Sequence, residues 1–263
     1  MRVAGSRVLV TGAGHGLGFA IAEAFARAGA HAVITDLDPE RVSAAVAKLP
    51  GATGYALDVT KPEQIADVRA RLATSPIDIL VNNAGVAFGG PFLDVPLAKH
   101  FATINVNLAG LIAVTHAFLP DLLARPAAHV VNICSASAFI ALPHGTTYAA
   151  SKWAVLGFTD SLREELWVKQ QRNVSVTAIC PGFITTGLFG GARPTKGVNW
   201  LTPEAVALAV VRAVEKRREF VMLPRAHRIM YALTAGVPRG VYRGLCRVMG
   251  VSRSMTGWTG HQQ

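Results

Sequence analysis

Apolar residues along this chain fall into two alternating rhythms. Seven short apolar runs, RVLVTG, HAVITD, ATGYALDV, DILVNNAG, HVVNICS, VSVTAICPG and EFVML, predict strands. Between them lie stretches with apolar positions at helical spacing, such as LGFAIAEAFARAG, where a glycine ends the pattern. The strand runs are continuous rather than alternating, which predicts strands buried on both faces. Strand–helix alternation implies right-handed crossovers and a parallel sheet. The expected fold is α/β: a Rossmann-type, doubly wound, seven-stranded parallel sheet with helices on both faces.

No repeat, low-complexity stretch or linker divides the chain. Residues 1–224 are expected to form a single catalytic domain, with the irregular stretch 187–200 (GLFGGARPTKGVNW) as a lid loop. Residues 225–263 are expected as an amphipathic, basic helical extension of it. That extension opens with LPRAHRIMYALTAGVPRGVYRGLCRVMG, which divides into two short helices at Gly236-Val237-Pro238. The first places Ala226, Ile229, Met230 and Leu233 on one face. The second places Val241, Tyr242, Leu245, Val248 and Met249 on one side and Arg239, Arg243 and Arg247 on another.

Composition narrows the class. The chain has 263 residues, 51% of them hydrophobic and 16% charged, and a mean hydropathy of +0.35. No apolar run reaches the ~18–20 residues of a bilayer span. MRVAGSRVLVTG runs straight into a strand and a Gly-rich turn, unlike a signal peptide, so a cytoplasmic protein is expected. Cys134, Cys180 and Cys246 lack metal-ligand spacing and fit a reducing compartment; no metal is expected. Six arginines and no acidic residue follow position 224, so the net charge of +10 belongs largely to the tail. The charge carries no nucleic-acid recognition module with it, and no nucleic-acid partner is expected. A basic, apolar tail instead allows two readings: a stripe packed on the body or a partner subunit, or a peripheral membrane contact.

The first strand runs into T11-G-A-G-H-G-L-G18. Gly12, Gly16 and Gly18 let the backbone turn tightly and approach a pyrophosphate at the following helix N-terminus. Asp36 ends the second strand, where a carboxylate accepts from the adenosine ribose hydroxyls and repels a 2′-phosphate. No Arg or Lys stands at 35 or 37, so NAD is the expected cofactor. Further on, Tyr148 and Lys152 lie four apart on one helical face. A free tyrosine, with a pKa of about 10, is a poor base at neutral pH. A nearby ammonium and a positive nicotinamide ring both favour its phenolate.

The spacing of T11-G12-x3-G16-x-G18, with N82-N-A-G85 after the fourth strand and Y148-x3-K152, resembles the short-chain dehydrogenase/reductase family over essentially the whole chain. The resemblance implies a catalytic set of Asn107, Ser135, Tyr148 and Lys152. Asn105 and Ser137 are the competing neighbours, at the wrong spacing. It also implies that Asp58 and Val59 meet the adenine, that Asn83, Ala84 and Gly85 line the cleft, and that Pro181, Gly182, Ile184 and Thr186 hold the nicotinamide end. His15, Leu17 and Leu37 complete the expected cofactor set, along with Tyr148 and Lys152. A homodimer or homotetramer through helices at about 97–124 and 147–171 is implied as well.

The expected substrate walls are Ala136–Gly145, Phe88–Phe92 and the loop 187–200. They bring Phe88, Phe92, Phe139, Ile140, Leu142, Leu188, Phe189 and Trp200, with Phe183 beside them, and predict a lipophilic alcohol or ketone. His144 is either a polar contact or a surface histidine. M249-G-V-S-R-S-M-T-G-W-T-G260 is similar to the tail of the branch with retinol and hydroxysteroid dehydrogenases. That branch often carries an N-terminal membrane anchor that this sequence lacks, so constitutive membrane residence is not expected. Competing readings are a carbonyl reductase of smaller or acyl ketones and a catalytically silent NAD-binding sensor.

Overall fold

The computed structural model describes residues 1–192, 200–224, 227–248, 250, 254–255, 257–258 and 260. Seven strands, β1 (Arg7–Thr11), β2 (His31–Asp36), β3 (Thr53–Ala56), β4 (Ile79–Asn82), β5 (Ala128–Ile133), β6 (Val174–Pro181) and β7 (Phe220–Leu223), form one sheet. Their order is β3-β2-β1-β4-β5-β6-β7 and every pairing is parallel. The order reverses between β1 and β4, which opens a crevice at the carboxyl ends of those two strands.

Helices cover both faces. The two-residue side-chain period of a strand sends Val8 and Val10 to one side and Leu9 to the other. Ile79 and Val81 against Leu80 repeat the division. On the first side pack α1 (Gly16–Arg27), α2 (Pro39–Lys48) and α7 (Pro203–Glu215). On the second pack α3 (Pro62–Arg71), α5 (Leu111–Leu123) and α6 (Thr146–Val168). Asp38 caps α2 by accepting from the N–H groups of Glu40 at 2.9 Å and Arg41 at 3.3 Å. Such caps contribute about 1 kcal/mol.

Leu97–Leu123 is one continuous helix, α4 (Leu97–Ile104) joined to α5 by a π-helical segment, Asn105–Gly110. By length and composition it could cross a membrane, although its sequence is broken by polar residues into shorter apolar runs. Val114, Phe118 and Leu122, themselves fully buried in the second core, pack it instead on the sheet, while Leu97, Phe101 and Ile112 are exposed.

The tail contains α8 (His227–Gly236) and α9 (Arg239–Val248), broken where the Gly-Val-Pro sequence predicts. Its packing departs from the expected stripe. Tyr242 and Cys246 turn inward against Phe139 and Met222, while Val241, Leu245 and Val248 are exposed, as is Ile229 on α8. An anchor of two residues one turn apart fixes α9, so the apolar stripe faces outward. Ala226 and Met249 lie outside the described residues, as do the side chains of Met230, Leu233 and Arg239 and the middle of the expected lid, 193–199.

Candidate active site

The crevice between β1 and β4 is lined by the Gly-rich turn. Gly12 and Gly16 adopt φ of 62° and 56°, a left-handed backbone that glycine takes without strain. A Cβ on Gly12 would stand 2.9 Å from Ala84 Cα, and one on Gly18 2.1 Å from Gly12 O, so the turn is closed by contact. Asn83 holds it with its side-chain amide, donating to Thr11 O at 2.9 Å and Gly12 O at 3.0 Å. Across the opening, Thr186 lies 3.7 Å from the Cβ position of Gly16. Leu17 lies in the first turn of α1, which starts without a side-chain cap and without an acidic residue in that turn. Its N–H groups and dipole therefore suit an anion, and the cradle fits a dinucleotide pyrophosphate.

At the end of β2 Asp36 is buried, with Leu37 exposed beside it. Burial pushes the Asp36 carboxyl up; contacts with His15 and the N–H groups of Asp38 and Gly14 outweigh this and hold it below its usual range. The two N–H donors stand at 3.2 and 3.0 Å, and His15 Nδ1 at 3.8 Å from Oδ2. Sequence reasoning missed Arg41 here. It stands five positions beyond Asp36, yet one helical turn into α2 returns its Cβ to 2.7 Å from the Cβ position of Gly14. Its guanidinium pairs with Asp38 at 3.2 Å. Asp58 turns to its own loop, accepting from Thr60 N–H and Oγ1–H at 2.9 and 2.7 Å. Val59 is buried and backs the bare face of Gly110.

Asn107, Ser135, Tyr148 and Lys152 are all buried. The π-helical segment turns Asn107 inward and leaves Asn105 exposed. Asn107 exchanges hydrogen bonds with Val86, accepting at 2.8 Å and donating to its carbonyl at 2.9 Å, and donates to Ser151 Oγ at 3.1 Å. Gly85 passes close by, its Cβ position 3.2 Å from Asn107 Oδ1. Lys152 Nζ donates to Ile133 O at 2.9 Å and lies 5.8 Å from the Tyr148 ring centre. Ser135, just past β5, hydrogen-bonds the Tyr148 hydroxyl, whereas Ser137 gives its backbone N–H to Ser135 Oγ at 3.1 Å.

The expected lowering of the Tyr148 pKa is reversed in the protein by itself. Burial pushes the phenol up to about 12, and the Ser135 hydrogen bond acts the other way without overcoming it. Burial also lowers Lys152. Both effects have one cause: low dielectric disfavours either charged form.

The apolar walls divide. Leu142, Phe183, Leu188 and Phe189 pack around Tyr148, and Trp200 stacks on Phe183 at 5.5 Å. Phe139 and Ile140 turn to a different core with Met222 and Cys246; Phe139 meets Tyr231 at 5.3 Å, so neither joins the Tyr148 wall. Phe92 is an exposed residue against His100, Phe88 lies under Lys99, and His144 gives its carbonyl to Gly90 N–H at 3.0 Å. Gly182 donates to Leu223 O at 2.7 Å and Ile184 bridges to Leu201, which fixes the loop beginning at Pro181.

The chain is similar to known proteins in sequence and in fold. The family described as short chain dehydrogenase matches residues 6–197. Epidermal retinol dehydrogenase 2 of Homo sapiens is 31% identical over 268 residues, covering 97% of this chain and 86% of the relative. Oxidoreductase UcpA of Escherichia coli (strain K12) is 35% identical over 224 residues, covering 82% and 83%. A crystal structure of a short chain dehydrogenase/reductase from Burkholderia phymatum in complex with NAD superposes with a TM-score of 0.80 at 27% identity, covering 89% of this chain and 94% of the other.

Proposed function

The chain belongs to the short-chain dehydrogenase family, and from that premise we propose that it moves a hydride between NAD(H) and a lipophilic alcohol or carbonyl compound. The observation carrying this reading is the buried meeting of Ser135, Tyr148 and Lys152 beside the Gly-rich crevice, under walls of Leu142, Phe183 and Phe189. Similarity to a relative named for retinol supports a lipophilic substrate.

NAD⁺, when bound, supplies the hydride acceptor and a positive ring. Gly12, Gly16 and Gly18 would cradle its pyrophosphate, while Asp36 would meet the ribose. His15, Leu17, Leu37, Asp58, Val59, Asn83, Ala84, Gly85, Pro181, Gly182, Ile184 and Thr186 complete the proposed cofactor surface. The chain's own part is proton handling. Ser135 holds the substrate oxygen. Tyr148 receives the hydroxyl proton in oxidation and returns it in reduction. Lys152 favours the phenolate once it is charged, and Asn107 positions Ser151 and the loop at Val86. Arg41 favours a second reading, NADP(H), because it flanks Gly14 opposite the buried Asp36.

The deciding experiment is a panel of lipophilic alcohols, retinoid, steroid and long-chain, with either dinucleotide, followed by absorbance of the reduced cofactor. NADH formation with kcat/KM well above that for NADP⁺ is expected. A preference for NADP⁺ refutes the cofactor assignment. Silence with every alcohol, and with the matching ketones in reverse, refutes the enzyme's proposed substrate class.

A further inference from the structure

Three loops expected to wall the substrate grip the chain's own end instead. Gly260 forms an antiparallel bridge with Phe88, beyond β4. Trp258 donates its indole N–H to Leu188 O at 2.9 Å, beyond β6. The loop before α6 contributes Gly145, whose Cβ position is 2.9 Å from the Trp258 ring. Met255 and Trp258 are 0% and 2% exposed.

The fit is specific to bare backbone on both sides. A Cβ on Gly89 would stand 2.7 Å from the Trp258 ring, and one on Gly191 2.0 Å from Gly257 O. A side chain at either place would expel the strap. Trp258 then reaches the reacting group: its ring centre is 6.2 Å from Tyr148, edge-on, and 5.8 Å from Phe189. The Tyr148 ring is therefore met edge-on by two aromatic rings, Phe189 at 6.0 Å and Trp258 at 6.2 Å.

We propose that Ser254, Met255, Gly257, Trp258 and Gly260 form an internal strap occupying the substrate site, and that Trp258 gates access to Tyr148. The proposal rests on the dehydrogenase reading above. An alcohol reaches the phenol by displacing the indole, and only a ligand with comparable apolar surface offsets the lost contacts. The cost of displacing the indole falls on every alcohol alike and enters as a weakened apparent affinity, so only one with ample apolar surface binds tightly despite it.

The test uses the full chain with NAD⁺ and two probes, cyclohexanol and decahydro-2-naphthol. Trp258→Ala should lower KM for both probes roughly tenfold, the size of effect an apolar pocket change gives. The change should fall on KM more than on kcat, with Trp258→Phe between the two. An unchanged or raised KM overturns the gate. A second readout needs no substrate: nitration of Tyr148 by tetranitromethane, located by peptide mass spectrometry. Tyr148 should be protected in the intact protein and modified severalfold faster in Trp258→Ala; equal rates overturn the strap. If circular dichroism shows Trp258→Ala unfolded, Trp258→Phe carries both measurements. If neither intact protein nor variants oxidise any alcohol, the dehydrogenase reading falls and the nitration rates alone decide the strap.

Discussion

Tyr148 shows how one side chain is set against its own chemistry. Its phenol, pushed up to about 12 by burial, is protonated at neutral pH. Alcohol oxidation needs the phenolate, so its rate should rise with pH across the neutral range, while ketone reduction, which needs the protonated phenol, should stay flat there. Tyr148→Phe should lower kcat roughly 10²–10⁴-fold, the usual worth of a positioned acid–base group. NADH binding, read by fluorescence titration, should survive the change. Retained turnover would remove Tyr148 from its proposed role. The four-residue spacing to Lys152 was readable because helix geometry alone puts both on one face. The direction of the Tyr148 shift was not, since it depends on how completely Leu142, Phe189 and Trp258 exclude water.

At the scale of elements, unbroken apolar runs made all seven strands legible, because a sheet covered on both sides leaves them no polar face. Three things were hidden. The π-helical segment has no hydrophobic signature, so Asn107 could be chosen over Asn105 only through family spacing. The orientation of α9 turned on Tyr242 and Cys246, whose partners Phe139 and Met222 lie far away in sequence. Arg41 was missed because it is near Gly14 only once α2 folds back. Strand β5 also buries a histidine. His129 Nε2–H donates to Thr177 Oγ1 at 2.6 Å, and Thr177 passes a hydrogen bond on to Arg218 O. Nδ1 has no partner among the described residues. Burial and the positive N-terminus and Arg217 lower His129 to about 3. Unfolded chains, with histidine near 6.5, bind a proton that the fold refuses between these values. Stability should therefore fall as pH drops from about 6.5 towards 3, by up to about 1.4 kcal/mol per pH unit from this group. Denaturant unfolding of His129→Gln should show a shallower acid loss than the unaltered chain. Identical slopes would assign the acid sensitivity elsewhere.

Across the whole molecule, two surfaces remain for partners. Phe101, Ile112, Trp153 and Trp167 are exposed along α4, α5 and α6, which supports the proposed homodimer or homotetramer through those helices. The tail presents Ile229, Val241, Leu245 and Val248 with Arg228, Arg243 and Arg247, all exposed. This outward apolar and basic mixture suits the peripheral contact with anionic membrane that the tail's sequence allows. Full-length protein should float with vesicles containing phosphatidylserine and lose that binding in high salt, and Arg243→Glu with Arg247→Glu should weaken it severalfold. Equal binding by the charge-reversed chain would leave α9 as packing alone, and a monomer mass by light scattering would remove the oligomer.

The bridge between Phe88 and Gly260 also bears on the order of synthesis. A ribosome delivers the Gly-rich turn well before it reaches Gly260. The dinucleotide crevice needs β1, β2 and β4 with their turns, whereas the cover over Tyr148 waits for Trp258 and Gly260. Nascent chains released just short of Met255 should thus retain NADH on a cofactor-affinity column while leaving Tyr148 open to nitration.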